Sequence, residues 1–451
     1  AGFAGLCLDR PDAPLVLGLL GAGFCPDCQR DFGRHLARDY GDHFQPVNYL
    51  ALAREAVTQA SGALGFDQLP FGRDFWRYRH DALERAMTAY VRAARDAARG
   101  GSRPFEVIAQ FEALGPAQLR SARLLDAAVF PIALSGAATG IGIGRLLRAT
   151  LGRRPCAVSL ASGPLARAAS VLATAAVELS GLDPDGATGA QIAATRKLSR
   201  ALAARGRSPA ALEPVAECAI LYSADADLWT SGRHRRAVER AGELLAQLHV
   251  QAPVVLKVEH APANAALVLA DAEALSPREA RDVRRRLEAG AAVLAFGDPQ
   301  QVNEAGQPTS TFLPSGRPGG TKVGAGILAM IPPLAPAKEG AGIPDRPLLE
   351  KALATVLGRG HRAAGVSGRS NVLTVLYRSA ESLDVHLVTT GEGRAQGTTL
   401  FLGQHLCGGA RRARFQAADG TDVKIPLNPS GLSLSTVLPS FGGYAVLTLD
   451  T

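Results

Sequence analysis

The sequence predicts an α/β protein built in three consecutive parts, on three observations. Residues 1–208 alternate short apolar runs with long helical patterns, residues 214–338 repeat that alternation on a smaller scale, and residues 365–451 carry strand patterns only. Strand followed by helix, repeated, calls for a parallel sheet with helical crossovers. At 451 residues the chain is also longer than one hydrophobic core normally serves, so several domains are expected.

In the first part the strand candidates are Phe3–Leu8, Phe105–Phe111, Leu125–Phe130 and Cys156–Leu160. The clearest helix is Arg73–Ala98, where Phe75, Tyr78, Leu83, Met87, Tyr90 and Val91 recur near helical spacing. Only four or five strand–helix units fit, so the prediction is a partial (β/α)8 barrel of the TIM type. A Pro/Arg/Gly/Ser hinge at Arg205–Pro214 leads to strand Ala219–Tyr222, helix Arg235–Leu248, strands Val254–Val258 and Ala266–Ala270, helix Pro277–Glu288 and strand Ala291–Phe296. That order predicts a small flavodoxin-like doubly wound domain. Ser276 before Pro277 and Glu279 marks a helix start and Gly290 its stop. After a Pro/Gly-rich stretch (Pro308–Pro347) and a helix near Leu348–Leu357, alternating runs begin at Val372, Leu383, Thr398, Ala413, Leu432 and Tyr444. They predict a small antiparallel β-sandwich.

Composition narrows the function classes. With 47% apolar and 20% charged residues the chain is globular rather than disordered. The net charge of +8 comes from an Arg-rich composition, and only 5% of residues are aromatic, so no stacking platform for nucleic acid is expected. Runs such as Arg233–Arg236 and Arg284–Arg286 fall on predicted helices as solvated faces. No long uncharged apolar window predicts a membrane span. The opening residues lack an initiator Met and a signal-peptide start, so the chain is expected to begin inside a domain and its compartment stays open. Six cysteines are too few for a disulfide scaffold, and Cys7, Cys156, Cys218 and Cys407 sit in apolar, strand-like contexts as expected buried thiols.

Several motifs carry a family resemblance. Gly5-Leu6-Cys7-Leu8-Asp9, then Phe24-Cys25-Pro26-Asp27-Cys28-Gln29-Arg30-Asp31-Phe32, then Asp74-Phe75-Trp76-Arg77-Tyr78-Arg79 and Leu124-Leu125-Asp126-Ala127-Ala128-Val129 follow one another in the first part. Ala266–Ala272 and Glu288–Ala295 follow in the second, and Leu383–Val388 in the third. In this order they resemble the glycoside hydrolase family forty-two β-galactosidases. The resemblance implies a barrel lacking its first three strands, a glutamine-amidotransferase-like trimerisation domain at 214–338 and a C-terminal sandwich at 365–451. It also implies an oligosaccharide substrate, a homo-oligomer with a trimer as one form, and no cofactor.

Glycosidic hydrolysis uses two carboxyl groups flanking the bond, placed in a barrel at the C-terminal ends of strands. The family's acid/base Glu falls here on Arg10 or Pro11 and its nucleophile near Leu160, Ala161 or Ser162, none of them a carboxylate. Asp9, which ends the first strand and resembles the fourth-strand nucleophile of fucosidase-like families, is the candidate nucleophile. Its alternative role is a loop cap beside Pro11 or a salt bridge to Arg10. Glu112, closing the second strand, is the candidate acid with a pKa raised by apolar neighbours, or else a surface carboxylate before Gly115-Pro116. Asp126, early in its strand, is expected to be structural. Arg10, Asp12 and Trp76 are candidate substrate-binding residues, with core packing the alternative for Trp76 and likewise for Trp229 and Phe71. Cys25 and Cys28 have metal-ligand spacing, and the resemblance implies a structural zinc loop there. Only two soft ligands are present, with Cys7, His35 or His43 as conceivable extras, so free thiols or a disulfide are the other outcome. Gly140–Gly144 has glycines like a phosphate loop but not its fingerprint, and a flexible barrel loop is expected. Phe296-Gly297-Asp298 stands where an amidotransferase would carry its Cys, so that activity is not expected. These residues leave two functions, a glycosidase acting on a galactoside-like saccharide and an inactive carbohydrate-binding or assembly subunit of the same fold.

Overall fold

The computed structural model describes residues 5–13, 23–41, 45, 47–59, 69–99, 104–132, 137–152, 154, 156–160, 212–230, 232–302, 308–334, 346–358, 362–368, 372–391 and 393–450. The first sheet has four strands, β1 (Gly5–Asp9), β2 (Glu106–Gln110), β3 (Ala127–Ile132) and β4 (Cys156–Leu160), in that order and all parallel. The helices of this part are α1 (Pro26–Tyr40), α2 (Tyr49–Gln59), α3 (Gly72–Ala98), α4 (Pro116–Ala122) and α5 (Ala137–Leu151). Every predicted strand of this part forms, within one or two residues at its described ends. Parallel pairing follows from the crossovers, which return the chain to the same edge each time. Alternate residues Val107 and Ala109 of β2, with Phe111 beyond it and Ala128 and Phe130 of β3, are buried. The hinge expected at Arg205–Pro214 falls largely outside the described residues.

The second sheet runs β12 (Thr321–Val323), β13 (Gly326–Ile331), β9 (Ala292–Phe296), β8 (Ala266–Ala270), β6 (Cys218–Leu221) and β7 (Val254–Val255). It is parallel except at β12, with α6 (Ala224–Trp229), α7 (Arg233–Gln247) and α8 (Pro277–Glu288) in its crossovers. The α8 boundaries match the expectation because the local signals are strong. Ser276 and Glu279 close a reciprocal capping box, Pro277 opens the helix, and Gly290 takes φ +105° just past its end. A short antiparallel pair, β10 (Gln300–Val302) with β11 (Pro308–Thr311), lies to one side, and helix α9 (Arg346–Leu357) packs on β13 and β9. Strand β13 lies within the Pro/Gly-rich stretch, where the sequence reading named no strand. Gly326-Ile327-Leu328-Ala329-Met330-Ile331 is an apolar run that joins the parallel sheet beside β9.

The third part is two antiparallel sheets sharing one core, in which Leu400, Leu402 and Leu434 of one meet Leu383, Val385, Leu387, Phe415 and Leu447 of the other. The first has β14 (Ala364–Ser367), β18 (Thr399–Gly403), β22 (Ser433–Val437) and β21 (Asn428–Ser430). The second has β20 (Asp422–Pro426), β19 (Arg412–Ala417), β24 (Tyr444–Asp450), β16 (Ser382–Thr389), β15 (Val372–Arg378) and, at its edge, β5 (Glu213–Pro214). A minor ladder pairs β17 (Arg394–Ala395) with β23 (Phe441–Gly442). The edge strand β5 precedes the second sheet in sequence yet pairs with the third part.

The expected loop at Gly140–Gly144 is instead the middle of helix α5. Gly142 of α5 and Gly242 of α7 let the two helices touch backbone to backbone. A Cβ on Gly142 would stand 2.3 Å from the Glu239 carbonyl oxygen, and one on Gly242 would stand 2.9 Å from the Gly142 Cα. One apolar core consequently runs from the first sheet through these two helices into the second sheet.

Candidate active site

At the C-terminal ends of β1 and β2 the chain places Asp9, Arg10 and Glu112 together. Asp9 sits opposite Gln110 in the parallel register, and Glu112 follows two residues later. Arg10 adopts φ +46°, a left-handed conformation unfavourable for a residue with a Cβ. Its backbone N–H donates to the Gln110 carbonyl (2.8 Å). That turn brings its guanidinium between the two carboxylates, with Nε 3.6 Å from Asp9 Oδ2 and NH1 3.2 Å from Glu112 Oε1. The Asp9 side chain is 65% exposed and that of Glu112 26% exposed, so the pair faces solvent at the mouth of the sheet.

Asp12 does something other than bind a ligand. It is fully buried, and its oxygens accept the backbone N–H of Glu112 (2.8 Å), the backbone N–H of Ala113 (3.1 Å) and Gln118 Nε2 (2.9 Å). This corrects its assignment as a substrate-binding residue, because both oxygens are committed to the loop after β2. The outcome is a rigid placement of Glu112 relative to β1. His80 fastens the same loop from α3, where its Nδ1 accepts the Ala117 N–H at 3.2 Å. Burial, with Arg120 and Arg79 nearby, pushes His80 down to about 3, so it is a neutral acceptor. Asp12, His80 and Gln118 were not identifiable as loop fasteners from sequence. The only signal was the Gly115-Pro116 helix start that puts Gln118 on the first turn of α4.

Trp76 lies half-buried on the first turns of α3, edge-on to His80 at 4.3 Å. Helix α3 lies in the crossover between β1 and β2 and packs against β2. Trp229 packs under the Arg73 guanidinium, 4.5 Å from its ring centroid, and Phe71 lies 6.0 Å from Tyr40. Asp126 receives the Val107 N–H at 2.8 Å and the Arg95 guanidinium at 3.1 Å, which ties the start of β3 to β2 as expected of a structural residue. Glu112 is met by Arg10, a charged partner in place of the apolar neighbours expected for an acid.

Cys25 is the N-cap of α1, its sulfur accepting the Cys28 N–H at 3.3 Å, and the Cys28 thiol first, then that backbone bond, hold its thiol below the ordinary range. Burial first, and then Cys25 itself, push Cys28 up to about 11. Both are free thiols. Cys7, expected to be buried, is exposed, whereas Cys218 and Cys407 are buried. Among the described residues no group of three or more His, Cys, Asp or Glu side chains is arranged to hold a metal ion. His43 lies outside the described residues, as do Ala161 and Ser162. No helix among them is long and apolar enough to cross a membrane.

The sequence matches no protein-family model and no curated protein. Its fold does have solved counterparts. The β-galactosidase from Bacillus circulans sp. alkalophilus superposes with a TM-score of 0.62 at 12% identity, over 95% of this chain and 78% of that one. The cold-adapted β-galactosidase from Rahnella sp. R3 gives 0.61 at 13%, over 96% and 77%. Gan42B, a family 42 β-galactosidase from G. stearothermophilus, gives 0.59 at 14%, over 95% and 76%, in the structure of a catalytic mutant. The chain therefore has the fold of the family 42 β-galactosidases, across nearly its whole length.

Proposed function

We propose that the protein is a glycoside hydrolase acting on a galactoside or a related oligosaccharide. The observation that carries the proposal is the placement of Asp9 and Glu112 on adjacent parallel strand ends, bridged by one guanidinium. Two carboxylates sharing one arginine lie within reach of the separations glycosidases use, roughly 5 Å for retention and 6.5–9.5 Å for inversion. Asp9, the more exposed, attacks the anomeric carbon or activates a water there. Glu112, fixed by the Asp12 clasp, protonates the departing oxygen once the sugar separates it from Arg10. Arg10 orients Asp9 and binds sugar hydroxyls, and the half-buried Trp76 offers an apolar face to a ring at the edge of the mouth. The likeness of fold to β-galactosidases supports a saccharide substrate.

In this proposal the four parallel strands belong to a TIM-type barrel within residues 1–208. Residues 214–338 form an amidotransferase-like assembly domain and residues 365–451 a β-sandwich. The chain assembles as a homotrimer, and light scattering giving the mass of a single chain would reject that. Cys25 caps a helix and Cys28 stays a thiol, so no zinc is required; about one zinc per chain after dialysis would overturn that assignment.

Hydrolysis is tested with a panel of aryl glycosides on the intact protein. Turnover of at least one, reduced by about 10³-fold or more in Asp9→Asn, is the expected result. Turnover unchanged in that variant would reject Asp9. Saccharide binding without any turnover would instead favour the non-catalytic subunit.

A further inference from the structure

We propose that the junction of the three parts is a binding site for a small free anion of the phosphate, sulfate or carboxylate class. A cavity of about 150 Å³ lies where α5, β5, β7 and β15 meet, lined by Arg145, Arg148, Gln251 and Tyr377 among others. Arg145 and Arg148 stand three residues apart on α5, so both project from one face of the helix. Both line this one cavity, and a guanidinium keeps its proton, so the positive charge gathered there is not relieved by titration.

Arg145 lacks a compensating charge. It is only 5% exposed, and its two donations, NH1 to the Gly242 carbonyl at 3.2 Å and NH2 to the Val250 carbonyl at 3.4 Å, go to neutral oxygens. Among the described residues no carboxylate is ion-paired with it. Of the groups that act on it, Tyr377 and Cys218 are pushed up by burial and stay neutral, and the carboxylate, Glu217, is already paired with Arg362 at 3.2 Å and accepts the N–H groups of Gln251 and Ala363. Arg148 lies over the Tyr377 ring, 4.6 Å from its centroid, and donates to the Leu212 carbonyl. Burial lowers Arg145 to about 10, as befits a cation taken out of water without a partner. A buried cation in that state is unfavourable until an anion joins it. The planar guanidinium fork matches the oxygens of a tetrahedral or carboxylate anion. The cavity exceeds the space one water needs by about tenfold, which admits a phosphate with its waters. An anion there would tie α5 of the first part to β7 of the second and β15 of the third.

The test is titration calorimetry of the intact protein with inorganic phosphate at fixed ionic strength, together with its melting temperature. The expected result is one phosphate per chain and a melting temperature that rises and saturates with phosphate. AMP, which carries the same group on a body too large for the cavity, is expected to give no heat. Arg148→Met is expected to weaken phosphate binding at least tenfold. Ala149→Leu, which fills the cavity while leaving both guanidinium groups in place, is expected to abolish binding in a protein that still melts cooperatively. No phosphate heat, AMP binding as well as phosphate, or a melting response equal in wild type and Ala149→Leu would each overturn the proposal.

Discussion

Replacing Gly142 with Ala adds one methyl group to α5 and is expected to destabilise the protein, against the usual effect of such a change in a helix. Helix propensity alone favours Ala by about 1 kcal/mol. The added Cβ, however, would stand 2.3 Å from the Glu239 carbonyl oxygen and 3.1 Å from its carbon. Ordinary contact begins at 3.4 Å, and the neighbour is backbone, so the two helices must part by about 1 Å. A gap of that size forfeits a quarter to a half of the dispersion well for each contact it opens. The contacts at stake involve the buried Ile141, Leu146, Val238, Ala241 and Leu245. Overpacking of this kind typically costs about 1–3 kcal/mol, and a rigid neighbour puts it near the top, leaving a net loss of about 2 kcal/mol. Urea unfolding followed by circular dichroism measures it, with Gly33→Ala on α1 as the control. Nothing lies within 4 Å of a Cβ on Gly33, so that variant is expected to gain up to about 1 kcal/mol. Equal stabilisation by both substitutions would refute the packing argument for the Gly140–Gly144 segment.

Asp12→Asn turns one acceptor oxygen into a donor facing the loop's own donors. It is expected to cost about 2–3 kcal/mol and to speed hydrogen exchange at the Glu112 and Ala113 amides relative to the α8 amides; unchanged exchange there would contradict the clasp. Acid sensitivity follows from buried histidines: burial holds His80 near 3, and His234 and His249 near 4, all below the ordinary 6.5. The unfolded chain takes up these protons first, so stability is full above about pH 6.5 and falls as pH drops toward 4. Asp271 works in the opposite sense, since burial raises it to about 6 and the folded state binds its proton more tightly. Its unfavourable contribution is present above pH 6 and vanishes below about pH 4. Asp271→Asn tolerates the native φ of +44° and keeps an acceptor for the Leu334 N–H. It is expected to raise stability at pH 7 by about 1–2 kcal/mol, a value reduced for partial solvent screening, and to steepen the acid-side loss. A urea midpoint that is flat from pH 7 to 4.5, or a variant less stable at pH 7, would contradict these assignments.

How much of this was legible in the sequence follows from where the forces are local. The strands β1 to β4 and helix α8 are written in adjacent residues, as apolar runs, caps and Pro–Gly punctuation, and they form where expected. Strand β13 was hidden because Gly326 and Pro332 flank it, and its burial depends on β9, more than thirty residues away. The α5 glycines read as a loop because helix propensity disfavours them; contact with Glu239 and Gly242 outweighs propensity and has no local signature. Asp9 and Glu112 were legible as strand-end carboxylates. Their bridging by Arg10 depends on the turn at φ +46° and on parallel register, and the Asp12 clasp depends on Gln118, residues far apart in the chain.

In the proposed reaction Asp9 and Glu112 act as a pair on one glycosidic bond. The direct measurement is kcat/KM for wild type and Glu112→Gln across aryl glycosides of increasing leaving-group basicity. Loss of a proton donor predicts a small change with dinitrophenyl substrates and a loss of about 10²–10⁴-fold with the least activated ones. A uniform loss across the series, or none, would contradict the assignment.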